Sequence, residues 1–190
     1  MNNLIKNHIN EHLETISLID QEMQNEILNF AHTIIKALKG KKTIFWCGNG
    51  GSSSDAQHLA AELIGRFKGD RRALRSLSLT ADSSVLTCIS NDYSFENIFS
   101  RQIEGLGNQG DVLICLSTSG KSKNIINALK KAKKMGLITV ALLGKGGGES
   151  LSECNQSIVI PSNITARIQE SHILIGHILC ELIETGLELN

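Results

Sequence analysis

Three stretches of this 190-residue chain concentrate side chains able to do chemistry. In CGNGGSSSDAQHLAAE, residues 47–62, a glycine- and serine-rich turn runs into a helical pattern carrying His58 and, four residues on, Glu62. That i, i+4 spacing puts both side chains on one helix face. There they suit a divalent metal or a proton-transfer site, with His58 as ligand and Glu62 as ligand or base. A solvated surface pair is the plain alternative. In ARIQESHILIGHILCELIE, residues 166–184, Gln169, His172, His177 and Glu181 interrupt an otherwise apolar helical run. A neutral imidazole beside a carboxylate is either a tuned acid or base or a satisfied core histidine. Gln169 and His177 are eight residues apart, roughly 12 Å along a helix axis. They share one ion only if it lies midway with both extended, or if a second subunit supplies one of them, which points to a site at a subunit boundary.

The third stretch is STSGKS, residues 117–122. It leaves an apolar run and opens a helical one, so hydroxyls and unpaired backbone N–H groups converge where the helix dipole favours negative charge. A phosphate monoester is the natural guest, while helix capping by Ser119 or Ser122 is the simpler role. The spacing is not that of a Walker A loop, and GNGG is not the dinucleotide fingerprint, so nucleotide binding is disfavoured.

Positioning these groups requires a scaffold that the rest of the chain supplies. Leu4, Ile5, Ile9, Leu13 and Ile16 recur at helical spacing, and a second helical pattern runs from Met23 to Leu38 and stops at Lys39-Gly40. KTIFWCGNG, RSLSLT, DVLICLSTSG, LITVALLGKGGG and QSIVIPS then read as five strands. Helical patterns over 55–67, 82–90, 94–106 and 122–135 separate them, and a long helix from about 164 to 189 closes the chain. Strands covered on both faces and alternating with helices predict an α/β fold: a doubly wound, parallel, five-stranded sheet with N-terminal helices and a long C-terminal helix. The division expected is one domain over 1–190, with 1–40 as a helical segment and 41–190 as the α/β core and last helix. Ligands of such sheets bind beyond the carboxyl ends of the strands. This selects the loops GNGGSSSD, SND (after the 82–90 helix) and STSGKS.

Composition narrows the partners. Nineteen basic and nineteen acidic residues cancel, which disfavours a nucleic-acid or membrane-surface partner. No apolar run approaches the roughly 20 residues of a spanning helix, and the opening MNNLIKNHINEHLE is polar, unlike a signal peptide. Five cysteines, an odd number, read as free thiols of a cytoplasmic protein.

Taken together, CGNGGS, AQHLAAEL, SNDYSFENIFSRQ, GDVLICLSTSGKS and ARIQESHILIGHIL resemble the sugar isomerase (SIS) domain family over nearly the whole chain, and within it the phosphoheptose isomerases. The resemblance implies a homotetramer with active sites between subunits. It implies conversion of sedoheptulose 7-phosphate to D-glycero-D-manno-heptose 7-phosphate, the first step towards the heptoses of lipopolysaccharide or capsule. It implies one zinc ion per subunit on His58, Glu62, Gln169 and His177. Substrate contacts would fall on Asn49, Gly50, Gly51, Glu62, Asn91, Asp92, Ser117, Thr118, Ser119, Ser122 and Gln169. For aldose–ketose exchange through an enediol, Glu62 is expected to take the carbon-bound proton and His177 to handle protons on the sugar oxygens. Where some members of the family carry an acidic residue, this chain has Ala166. Two other readings fit the same fold: a non-catalytic SIS-domain regulator binding the replication initiator DnaA, and an isomerase of another sugar phosphate.

Overall fold

The structure, a computed structural model, describes residues 1–189. Two helices open the chain, α1 (Asn2–Ser17) and α2 (Gln21–Lys39). Asp20 caps α2 by accepting from the Met23 N–H at 2.9 Å, and Lys36 and Lys39 stand in its last turn before Gly40, as the basic stop signal predicts. The alternating core follows as β1 (Ile44–Gly48), α3 (Gly51–Ile64), β2 (Ser76–Ser78), α4 (Ser83–Asp92), α5 (Ser100–Leu106), β3 (Val112–Ser117), α6 (Lys123–Lys134), β4 (Ile138–Gly144), α7 (Ser150–Glu153), β5 (Gln156–Ile160) and α8 (Thr165–Gly186).

All neighbouring strands are parallel, in the order β2-β1-β3-β4-β5. The sheet is therefore doubly wound, as the strand–helix alternation predicts. Side chains alternate between its faces. Ile44, Trp46, Val112, Ile114 and Leu116 join Phe30, Ile34, Leu59, Ile175 and Leu179 in one core, on the side of α2, α3 and α8. Phe45, Cys47, Leu113 and Cys115 join Phe99, Ile103, Ile125 and Leu129 in the other, on the side of α5 and α6. Among the described residues no helix is long and apolar enough to cross a membrane.

Three boundaries differ from the sequence reading, each for a local reason. The helix expected over 55–67 starts a turn earlier and ends at Ile64, because Phe67, Lys68 and Gly69 instead donate their backbone N–H groups to Glu184 on α8. The helix expected over 94–106 is broken into a 3-10 turn, Phe95–Asn97, and α5. Asn97 donates to the Ser94 hydroxyl and the Ser100 hydroxyl donates to the Asn97 carbonyl, local bonds that compete with the helical ladder and let Ile98 and Phe99 turn into the core. Finally, α4 continues through Asn91 and Asp92, which belong to its last turn rather than to a loop.

His172 is wholly buried on α8, with Nε2 3.1 Å from the Leu143 carbonyl. That bond makes Nε2 the N–H donor and leaves Nδ1 unprotonated, with no hydrogen-bond partner. Burial pushes the imidazole down to about 4, only partly offset by the bond to Leu143. His172 is thus a neutral core histidine. An unfolded chain protonates it near the ordinary 6.5. Between those values the unfolded state binds more protons, so stability falls as pH drops from 6.5 toward 4. Replacing His172→Gln, which keeps a donor but cannot titrate, should remove about 2 kcal/mol of the stability lost between about pH 7 and 5. Urea unfolding at the two pH values and one protein concentration measures this; equal losses in both proteins would contradict it.

Candidate active site

The loops following β1 and β3 lie side by side, because these strands pair in register from Ile44↔Val112 to Gly48↔Leu116. The chain order reverses here, with β2 on one side of β1 and β3 on the other, so the crevice is the sheet's topological switch point. Gly50 turns the chain into α3 with φ +56°, a conformation open to glycine. The two loops are stitched by a reciprocal amide pair: Asn49 and Asn124 each donate to the other's carboxamide oxygen at 2.9 Å, with Asn124 buried at the start of α6.

The hydroxyl-rich turn is locally ordered. Ser117 Oγ accepts from the Gly120 N–H and Ser119 Oγ from the Lys121 N–H. Ser122 occupies the N-cap of α6 yet makes no side-chain capping bond. The helix start therefore keeps N–H groups for an external anion. Asn91 donates to Asp92 at 2.8 Å, and both are exposed. A cavity of about 160 Å³ opens beside the glycine turn, lined by Asn49, Gly50, Ser53, Thr80 and Phe95 among others.

The second half of the site comes from two helices running in the same direction. On the β1 side, Gln169 of α8 lies against Gly51, where a Cβ would sit 2.7 Å from its amide nitrogen. Two turns on, Gly176 packs against Leu59, where a Cβ would sit 2.6 Å from a Leu59 methyl. This close approach carries His177 to His58. Their Nε2 atoms are 3.5 Å apart, and His58 Nε2 is 3.0 Å from Glu62 Oε1. The ligand atoms of His58, Glu62 and His177 all lie within 4.8 Å of one another in a single protomer. The His177 and His58 rings meet edge to face, 70° between planes, and His177 stacks on Phe67 at 5.4 Å between centroids.

The donor set fits a zinc ion. A tetrahedral ion with bonds of about 2.0–2.1 Å spaces its ligand atoms about 3.3–3.4 Å apart, close to the separations found here. Two imidazole nitrogens facing each other beside a carboxylate are also a poor arrangement without a shared proton or cation between them. Of the four ligands expected, His58, Glu62 and His177 come together, and Gln169 stands roughly 12 Å further back along α8, at the loop end of the same helix pair. Asn49, Gly50, Gly51, Ser117, Thr118, Ser119 and Ser122 gather at the switch point.

Several neighbours of the site were not singled out from the sequence. Asp55 lies one turn before His58 on the same face. Burial pushes its carboxyl above the ordinary value, while nearby His58 and His177 pull it back. Extending the 58, 62 spacing by three residues backwards would have found it. Asn124 and Phe67 had no such signal, because their partners Asn49 and His177 are distant in sequence.

The parallel sheet with its flanking helices is that of a SIS domain, and the SIS domain family matches residues 7–144. Named relatives sharpen this. A phosphoheptose isomerase of a Nitratiruptor species is 52% identical over 180 residues, covering 95% of this chain and 96% of the relative. One of Sulfurimonas denitrificans is 50% identical over 97% of this chain and 95% of its own. The solved phosphoheptose isomerase of Neisseria gonorrhoeae superposes with a TM-score of 0.92 at 36% identity, covering 97% and 98% of the two chains. The chain belongs to the phosphoheptose isomerases of the SIS domain family.

If the α3–α8 spacing sets the cluster, widening it should separate the imidazoles. Gly176→Ala should lower turnover roughly tenfold to a hundredfold and cost about 1–3 kcal/mol of stability by overpacking. Steady-state kinetics beside thermal unfolding measure both, and parental turnover would show that the spacing is not limiting.

Proposed function

We propose that this isomerase converts D-sedoheptulose 7-phosphate to D-glycero-D-manno-heptose 7-phosphate, the opening reaction of heptose synthesis for lipopolysaccharide or capsule. The observation that carries the reading is the meeting of Glu62 and His177 at one point, on helices whose first turns meet at the glycine turn, where Gln169 lies against Gly51. The exchange moves a proton between two adjacent carbons and needs a base, an acid and charge stabilisation.

Ser117, Thr118, Ser119 and Ser122 hold the phosphate at the start of α6, and Asn49, Gly50, Gly51, Asn91 and Asp92 line the sugar's path. Gripping this remote group fixes the open chain and brings its other end to the acid/base pair. Glu62 meets His58 through Oε1, leaving Oε2 to take the carbon-bound proton. His177, held between Phe67 and His58, exchanges protons with the sugar oxygens. His58, Glu62 and His177 would hold zinc, which supplies Lewis-acid polarisation of those oxygens when bound. Gln169 contacts substrate, and it joins the metal set only by swinging away from Gly51 or across a subunit boundary.

A homotetramer is part of the proposal, over a single domain spanning 1–190. It is supported by the exposed Leu4, Ile5, Ile9 and Leu13 of α1 and by an apolar groove of about 480 Å³ that includes Ile16, Ile27, Leu174, Ile178 and Leu182. Leu174 and Ile178 flank His177, so assembly through this face would put the site at a subunit boundary. Free thiols at all five cysteines support a cytoplasmic setting.

Incubation with sedoheptulose 7-phosphate, followed by NMR, should show the aldose phosphate growing in; its absence at high enzyme concentration would refute the substrate. Glu62→Gln should reduce turnover by at least about 10²-fold, while inorganic phosphate still competes for the cradle. Chelation with metal analysis should remove about one zinc per subunit together with activity. Full activity in metal-free protein would make the ion dispensable.

A further inference from the structure

Arg71 and Glu184 form an ion pair with each side chain only 1% exposed, Arg71 Nε donating to Glu184 Oε1 at 2.7 Å. Such a pair gains little stability over apolar residues of the same volume, since both charges must be desolvated. What it touches is more informative than its strength. The Arg71 guanidinium donates to the carbonyls of Glu62 (2.7 Å), Leu63 (2.8 Å) and Gly65 (3.2 Å), satisfying the last turn of α3. The Glu184 carboxylate accepts the backbone N–H groups of Phe67 (3.0 Å) and Lys68 (3.1 Å). Burial alone would raise this carboxyl, but the N–H donors and Arg71 outweigh it and hold it below the ordinary range. The charge is therefore retained, and the segment after α3 is drawn across the end of α8. Lys68 adds a surface bond to Glu181 at 2.6 Å.

The result is a bracket with a defined product. It fixes the backbone at Glu62 and, five residues later, sets the Phe67 ring nearly parallel to His177, at 24° between planes. The imidazole is then confined between Phe67 and the His58 ring. We infer that Phe67 is a positioning residue for His177, and that the buried Arg71–Glu184 pair is the element that holds Phe67 and Glu62 in a common frame. Without the aromatic wall, His177 gains rotamer freedom on a helix face that is otherwise only partly covered, and its Nε2 leaves the shared point for part of the time. This rests on the assignment of Glu62 and His177 as the acid/base pair.

The test compares Phe67→Leu, Phe67→Tyr, Arg71→Lys and His177→Gln in the full-length protein. Phe67→Leu should lower kcat roughly tenfold or more with KM for the sugar phosphate within about twofold, and should release zinc more readily in a chelator competition. Phe67→Tyr, which keeps the ring, should restore kcat to within about twofold and hold the metal as the parent does. Arg71→Lys keeps a charge but cannot reach Glu184 and the three carbonyls together, and should reproduce the kcat loss. A purely structural role would lower the melting temperature without this split between kcat and KM or rescue by tyrosine. Parental kcat in Phe67→Leu, or equal damage from leucine and tyrosine, with His177→Gln inactive, would overturn the inference alone. Parental kcat in His177→Gln would overturn the acid/base assignment and the inference with it.

Discussion

The closeness of α3 and α8 is the constraint on which the site depends. The distance between two packed helices depends on the side chains at their contact. Gly176 removes the obstruction beside Leu59, and Gly51 does so beside Gln169. The rotation of α8 about its axis is fixed from its other side, where Ile168, Ile175, Leu179 and Ile183 are fully buried against the sheet. With that apolar stripe anchored, Gln169 and His177 have no choice but to face α3 and solvent. The functional face is in this sense a by-product of burial, turned to use by the glycines.

The sheet does the corresponding work for the loops at the start of α3. Parallel pairing of β1 with β3 puts two loops at the same height, each ending in the start of a helix. The Asn49–Asn124 pair locks them together, so the glycine turn and the hydroxyl turn behave as one surface. The pair also engages the Asn49 carboxamide on two of its polar sites, leaving that loop to meet a ligand largely through backbone and the remaining amide hydrogen. Because α3 starts at this surface and reaches His58 seven residues on, roughly 10 Å along its axis, one rigid helix spans the distance from the loops to the His/Glu/His cluster. In the proposed reaction, rigid spacing of this kind would convert grip on a phosphate into orientation of a distant carbon.

Buried charge is used sparingly and for shape. Arg71 and Glu184 satisfy backbone groups that neither helix could satisfy itself, at a point where the chain leaves α3 and must turn toward β2. His172, in contrast, is buried without charge, and its neutral form is the one the fold favours. The two histidines of α8 thus differ by environment alone: five residues apart, one faces the core and one faces α3.

Much of this was legible beforehand. Five apolar runs separated by helical periods specify a parallel sheet, and Gly40 and the glycine turn after the first strand mark its boundaries. His58 and Glu62 could be paired from their spacing, because an i, i+4 relation is local. The hydroxyl turn could be placed at a helix start for the same reason. What spacing could not supply was the partner across a helix boundary. His177 meets His58 over 119 positions of sequence, Asn49 meets Asn124 over 75, and the Glu184 carboxylate meets Phe67 over 117. Sequence periodicity determined which face each helix shows; only tertiary packing decided which two faces touch and how closely, because that distance is set by side-chain volume at the contact and not by position along either chain.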